Sequence, residues 1–377
     1  MTTNRREIIK GAVGTPNGKK WIKINNTKNT IKNEMTIRKY VKTKQTTNNV
    51  LMIRPNNFTF NPQTAKDNEF QDEETYEKLG VDGVREGAKQ HFDESVDILR
   101  KNGVNVLVLE GDVEKPFDSY SPDEIFPNNW ISTHEDGTIV IYTMKSKMRA
   151  EEANRLPEVM QLFKQAELNI RNKIDLREKT DKILEGTGSY ILDHESKTIY
   201  VALSQRSEPE AIWELIREHP LIDHAITFRS VSEHNQPFYH TNVMCSFGID
   251  YSVICLDSIK DKDEKEAVIQ ALNKRNKGEH TLIDISFAQT EKGFCGNMLE
   301  LKNGETGERL FVMSESSLGV NGFTDEQQAF FKKRGKILAL PTSKIIEPIG
   351  GGSARCMIAE IFLDTEEQAT KDWELSQ

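Results

Sequence analysis

Short apolar runs alternate along this chain with longer stretches whose apolar residues fall three or four apart. Val50-Leu51-Met52-Ile53 is the first compact apolar run and predicts a short strand. The segment 54–72 is polar, with Asn56, Asn57, Asn61 and Asn68, and predicts a long loop of the kind that often serves as a lid. From 81 to 101 the apolar positions Val84, Ala88, Phe92, Val96 and Leu99 predict a helix, and Gly103 stops it. A strand follows at 104–109. Segments 130–133 and 138–142 flank Glu135-Asp136-Gly137 and read as a hairpin. The alternation predicts helices at 150–165, 208–219, 262–274 and 324–334. Strands are predicted at 190–192, 198–203, 224–229, 239–247, 251–256, 281–285, 297–301, 309–313, 336–340 and 357–363. Strand pairs alternating with single helices predict an α/β protein of mixed sheets.

Composition narrows the picture only a little. The 377 residues are 36% hydrophobic and 29% charged, ordinary values for a globular protein. No apolar run approaches the roughly 20 residues of a membrane span. Cys245, Cys255, Cys295 and Cys356 show neither CxxC pairing nor zinc-ligand spacing, so a reduced, cytoplasmic setting without a bound metal or cofactor is expected.

Charge divides the chain. Residues 1–49 carry twelve Lys/Arg against two Asp/Glu; the remainder carries 38 against 57. An acidic body argues against a nucleic-acid partner. The expected layout is a basic extension over 1–49, a catalytic domain over 50–364 and a tail over 365–377. Three readings of the extension stay open: a disordered tail, an organelle-targeting segment, or an upstream extension with Met35 or Met52 near the true start. A homo-oligomer is allowed for.

The candidate chemistry sits in four clusters. Gly350-Gly351-Gly352-Ser353-Ala354-Arg355-Cys356 places a thiol on a tight glycine loop before an apolar run, beside a cation. A nucleophilic thiol needs such a place, because only the thiolate attacks and positive charge favours it. Upstream lie Phe126-Pro127-Asn128-Asn129-Trp130, Glu185-Gly186-Thr187-Gly188 and Tyr239-His240-Thr241-Asn242. Together they supply a nucleophile, a base, an orienting acid and two amides. Asn129 to Glu185 spans 56 residues, Glu185 to His240 spans 55, and His240 to Cys356 spans 116, about twice that interval. Near-equal spacing suggests repeated modules, each presenting one active residue at the same end.

These clusters, with Met52-Ile53-Arg54-Pro55 and Gly296-Asn297-Met298-Leu299-Glu300, resemble the guanidino-group-modifying (amidinotransferase) family of the pentein superfamily. The likeness is strongest to the citrulline-utilisation hydrolase branch and covers roughly residues 50–364. It implies a five-bladed α/β propeller with pseudo-fivefold symmetry, which would account for the spacing. It also implies Cys356 as nucleophile, His240 as general acid/base and Glu185 as the accompanying acid.

The departures bear on substrate. Arginine deiminases of this superfamily carry carboxylates where this chain has Asn129, Asn242 and Gly186-Thr187-Gly188. A guanidinium is all donors and charged, whereas a ureido group is neutral and also accepts. The expectation is therefore a neutral pocket, with Asn129 and Asn242 contacting a ureido compound such as citrulline, which would yield ornithine, ammonia and CO2. Arginine deiminases, dihydrolases and amidinotransferases are the nearer rivals; a non-catalytic scaffold is the remoter one. The substrate carboxylate needs a cation, for which Arg54, Arg206 and Arg355 are candidates. Arg355 and a protonated His240 are expected to favour the Cys356 thiolate.

Overall fold

A computed structural model describes residues 44–112, 121–275 and 279–365. Nearly all of the basic extension and of the C-terminal tail lies outside the described residues.

The expected mixed sheets take a regular form. Fifteen strands make five three-stranded sheets among the described residues. In each, a central strand pairs antiparallel with one neighbour and parallel with the other. β1 (Asn49–Ile53) lies between β15 (Ala359–Ile361) and β2 (Asn105–Leu109). β4 (Thr138–Ile141) lies between β3 (Ile131–Thr133) and β5 (Asn172–Asp175). β7 (Thr198–Ala202) lies between β6 (Ile191–Asp193) and β8 (His224–Phe228). β10 (Tyr251–Ile254) lies between β9 (Cys245–Phe247) and β11 (Thr281–Asp284). β13 (Arg309–Ser314) lies between β12 (Leu299–Lys302) and β14 (Lys336–Leu340). The first-named neighbour is antiparallel in every case.

A parallel pair cannot be joined by a tight turn and needs a crossover. Here each crossover carries one long helix: Glu73–Lys101, Leu156–Gln165, Pro209–Glu218, Lys262–Leu272 and Asp325–Arg334. The first begins earlier than its apolar period predicts. Asp72 caps it by accepting from the Glu74 and Thr75 amides, and Gly80, at φ 68°, breaks it before the amphipathic part begins. Val84, Ala88, Phe92, Val96 and Leu99 are then buried, as the spacing predicts, in one cluster with Val50, Met52 and Val106. Burying each large side chain contributes about 1.5–3 kcal/mol.

Two local differences have physical causes. β5 was not predicted, because Asn-Lys-Ile-Asp offers a single apolar residue to a sheet. The strand predicted over 239–247 is reduced to β9, and Thr241–Met244 is a helical turn instead. Tertiary bonds hold that turn: Thr241 Oγ1 donates to the Ser189 carbonyl at 2.6 Å and accepts from the Ala202 amide at 2.8 Å.

The extension expected over 1–49 joins the body earlier than its composition suggests. Thr46 and Thr47 are buried. Thr47 Oγ1 donates to the Ile361 carbonyl at 2.6 Å, and Gln45 Nε2 donates to the Leu192 carbonyl at 3.0 Å. Among the described residues, no helix is long and apolar enough to cross a membrane, and no group of three or more His, Cys, Asp or Glu is placed to hold a metal ion.

Candidate active site

The five antiparallel strands β3, β6, β9, β12 and β15 are each preceded by a short turn. Those turns carry Asn129, Glu185, His240, Asn297 and Cys356. Each sheet thus contributes one of these side chains from the segment just before its antiparallel strand. Asn297 lies 57 residues after His240 and 59 before Cys356, so it divides the double interval in the sequence. The spacing was a signal for it that the sequence reading did not use.

Cys356 is 3% exposed. The loop before it turns sharply at Gly351, at φ +65°, where a Cβ would sit 2.3 Å from Asn68 Nδ2; only glycine fits there. Asn242 Nδ2 and Asn297 Nδ2 donate to Cys356 Sγ at 3.4 and 3.2 Å. Two donors aimed at one sulfur suit an anion that accepts. Asn297 is itself fixed, donating to the Asn242 carbonyl at 2.9 Å and accepting from the Arg355 amide at 3.0 Å.

His240 and Glu185 form a fully buried pair, with His240 Nε2 2.7 Å from Glu185 Oε2. Burial alone would raise the Glu185 carboxyl. Arg206, the His240 hydrogen bond and Arg149 outweigh it and hold the group at about 2. An ionised Glu185 accepts from Nε2–H, which leaves Nδ1 as the bare basic nitrogen of neutral His240. Burial lowers the His240 pKa despite Glu185, so the imidazole is neutral at rest. Glu185 also accepts from the Lys145 amide at 2.9 Å and lies 3.5 Å from Arg206 Nη1. Gly188 lets the turn approach: a Cβ there would lie 2.4 Å from Asn129 Nδ2 and 2.9 Å from His240 Nδ1.

Cys356 and His240 line one pocket with Asn129, Arg206, Asp123 and Arg149, and with Thr64 and Asn68 of the polar loop. Phe70 anchors that loop among Phe238, Tyr239 and Phe294. Arg206 is the one of the three candidate arginines found in the pocket; it pairs with Asp67 and stacks 4.9 Å from the Tyr239 ring centroid. Arg54 is held elsewhere by Asp93, through Nε at 2.9 Å and Nη2 at 2.7 Å. Arg355 also turns away from the thiol. Its guanidinium donates to the Ile358 carbonyl at 2.8 Å and to Glu360 at 2.9 Å. Neither arginine reaches the site, and with His240 neutral the amides, rather than cations, face the sulfur.

The pocket also departs from the neutral one expected from Asn129 and Asn242, since Asp123, Arg149 and Arg206 line it. Asp123 is 2% exposed and lines it. Its Oδ2 accepts from Asn61 at 2.8 Å and from Thr64 at 3.3 Å, while Oδ1 has no partner. Burial raises its pKa against the pull of Arg149 and of its hydrogen bonds. Asn129 is less available than expected: its Oδ1 accepts from Arg149 Nη1 at 2.6 Å and its Nδ2 donates to Asn128 at 3.1 Å. Asn242 keeps a free buried acceptor, Oδ1. Asp123 and Arg149 were not singled out from sequence. Asp123 follows Pro122 outside any predicted element, and Arg149 falls one residue before the helix predicted over 150–165.

A buried thiol and a histidine lining one pocket, with a carboxylate bonded to the histidine and two amides on the sulfur, fit a class: pentein hydrolases acting on carbon–nitrogen bonds of guanidino compounds. The chain belongs to the N,N dimethylarginine dimethylhydrolase family, whose eukaryotic model matches residues 54–363. No curated protein sequence matches it. Among solved structures, the arginine dihydrolase ArgZ of the cyanobacterial ornithine–ammonia cycle superposes with TM-score 0.60 at 14% identity, over 83% of this chain. The chain spans only 40% of that protein's length. The substrate-bound N-terminal domain of ArgZ matches with TM-score 0.60 at 15% identity, over 83% of this chain and 97% of that domain. A dimethylarginine dimethylaminohydrolase, solved as an adduct with 4-chloro-2-hydroxymethylpyridine, gives TM-score 0.53 at 13% identity, over 83% of this chain and 99% of its own. At these identities the likeness is one of α/β fold.

Proposed function

We propose that this protein is a cysteine-dependent hydrolase that takes a guanidino amino acid, arginine in the simplest case, through a ureido stage to ornithine, two ammonia and CO2. The observation that carries the reading is Asp123 Oδ1, a buried carboxylate oxygen without a partner in the same pocket as Cys356. A guanidinium supplies the N–H donors and the positive charge that this oxygen lacks. Asn242, whose amide contacts the Cys356 sulfur, has a second unpartnered buried acceptor, Oδ1. The name of ArgZ as an arginine dihydrolase agrees with this reading. The five sheets are read as the blades of a pseudo-fivefold propeller, supported by five strands that line one common cavity.

In this mechanism Cys356 Sγ bonds to the guanidino carbon, stabilised by the Asn242 and Asn297 amides. The leaving nitrogen takes a proton that His240 Nδ1 has drawn from the thiol. Water then attacks the carbon and gives its proton to His240; the C–S bond breaks, its electron pair returning to sulfur, and a ureido compound remains. A second cycle on that compound yields a carbamate, which loses CO2. Glu185 keeps His240 in the tautomer this needs. Arg149 and Arg206 are the cations nearest to hand for a substrate carboxylate.

A narrower reading, hydrolysis of citrulline alone, is favoured by Asn129 and Asn242 standing where deiminases carry carboxylates. Turnover of arginine, dimethylarginine and citrulline, with citrulline and ornithine both quantified, separates the readings. Ornithine from arginine supports the dihydrolase; citrulline as the final product from arginine or dimethylarginine overturns it; activity on citrulline alone favours the narrower reading.

A further inference from the structure

A second cavity lies behind the catalytic turns. It offers about 50 Å³ to the centres of water-sized groups, room for a few waters at about 10–15 Å³ each. Its wall draws residues from β3, β6, β9, β12 and β15, the antiparallel strand of every sheet. The pocket in front of Cys356 offers only about 10 Å³ by the same measure.

Three segments tie the cavity to the nucleophile. Cys356 lies in the catalytic pocket and Arg355 on the cavity wall. Asn297 holds the sulfur and Met298 lines the cavity. Gly188 packs against His240, and Thr187 lines the cavity. At Cys356 and Arg355 consecutive residues line the two spaces; at the other two points a cavity-lining residue adjoins one that contacts Cys356 or His240.

The cavity chemistry is that of a site for a neutral guest. Its charged side chains are paired: Arg355 with Glu360 at 2.9 Å, and Glu300 with Arg309 at 2.6 Å. Burial drives the His134 imidazole to its neutral form. Two wall atoms lack partners, Ser246 Oγ and His134 Nδ1, on side chains that are 4% and 3% exposed. Unpaired buried polar atoms beside matched charges call for a small molecule that both donates and accepts, and an ion there would be uncompensated.

We infer that this cavity holds the water that hydrolyses the Cys356 adduct. The inference rests on the covalent mechanism proposed above. Substrate seated in the narrow front pocket excludes solvent from that side, so water reaches the adduct carbon from the cavity behind. Its oxygen bonds to that carbon, the C–S bond breaks with its electron pair returning to sulfur, and the proton passes to His240.

The test fills the cavity without touching the catalytic residues. Ser246→Leu and, from another sheet, Leu192→Phe are compared with wild type by rapid-quench mass spectrometry on arginine. Adduct should form at the wild-type rate and accumulate, with kcat and KM both falling at least about tenfold. Leu192→Val, which does not fill the space and removes no polar atom from it, should stay within about threefold of wild type. Thermal melting shows which filled variants are folded, and two positions are used so that one folded variant suffices. Folded, filled variants with wild-type kcat and no accumulated adduct would overturn the inference. Turnover retained in Cys356→Ala would overturn the covalent reading and this inference with it; turnover lost there, with filled variants unimpaired, would overturn this inference alone.

Discussion

Asn297 Nδ2 lies 3.2 Å from Cys356 Sγ and, through its other amide atom, fixes the backbone amide of Arg355. One side chain therefore both contacts the sulfur and shapes the turn that presents it. Asn297→Ala removes a donor worth about 1.5–3 kcal/mol if the sulfur is charged, so kcat should fall about 10- to 100-fold. Asn297→Asp should be worse, because a carboxylate repels the thiolate. Steady-state kinetics and the alkylation rate of Cys356 check this; equal activity in both variants would remove Asn297 from the mechanism.

Cys356 should be the first cysteine to react. Burial raises the thiol pKa of Cys245, Cys255 and Cys295, and all three are fully buried. Peptide mapping after brief iodoacetamide treatment at neutral pH should find label at Cys356 ahead of the others. Cys356→Ala should melt as wild type does and turn nothing over. Prior labelling of another cysteine would argue against the assigned nucleophile.

Glu185 links the site to acid stability. Its folded pKa of about 2 lies below the ordinary 4.5. A depressed carboxyl stabilises the fold above its unfolded pKa, and that stability is lost as pH falls from about 4.5 to about 2. Glu185→Gln should flatten the fall in urea midpoint across that window and lower kcat about 10²- to 10⁴-fold. An unchanged acid slope would mean that the carboxyl is not held ionised by Arg206 and His240.

Asp123 should set charge selectivity. Removing a buried counter-charge costs about 3–5 kcal/mol, so Asp123→Asn should lower arginine kcat/KM by at least about 100-fold. Citrulline, being neutral, should lose less than about tenfold. Because burial raises the Asp123 pKa, the acid limb of the arginine profile should lie above the usual aspartate range and be missing for citrulline. A parallel loss on both substrates would contradict the assignment.

The N-terminal boundary makes its own prediction. A chain beginning at Lys44 should keep its Tm and kcat. One beginning at Val50 loses the Thr47–Ile361 and Gln45–Leu192 bonds and the Lys302 amide bond to the Thr47 carbonyl at 3.1 Å. At about 1 kcal/mol each, these should lower Tm by several degrees. Matched melting curves would mean that residues 44–49 contribute little.

Much of this architecture was legible because apolar periodicity reports burial directly. The interval between Asn129, Glu185 and His240 already marked the modules. Charge placement was harder to read. Arg355 adjoins Cys356 in the chain, yet consecutive residues of a turn leave it in different directions, and its guanidinium faces the rear cavity. Asn129 and Asn242 suggested a pocket without charge because the compensating carboxylate, Asp123, comes from a loop six residues upstream of Asn129. β5 escaped notice because its pairing with β4 depends on backbone bonds that its polar side chains do not announce.

The pairing of β15 with β1 has a consequence for biosynthesis. Asn49 meets Ile361 across more than 300 intervening residues, among the least local contacts a chain of this length can make, and such contacts form late. Cys356 stands only a few residues before that closing strand. A nascent or C-terminally nicked chain could assemble the intervening sheets and the His240–Glu185 pair while its thiol stayed out of place. Catalytic competence would then appear only once the strand of Asn49 and the strand that follows Cys356 have paired.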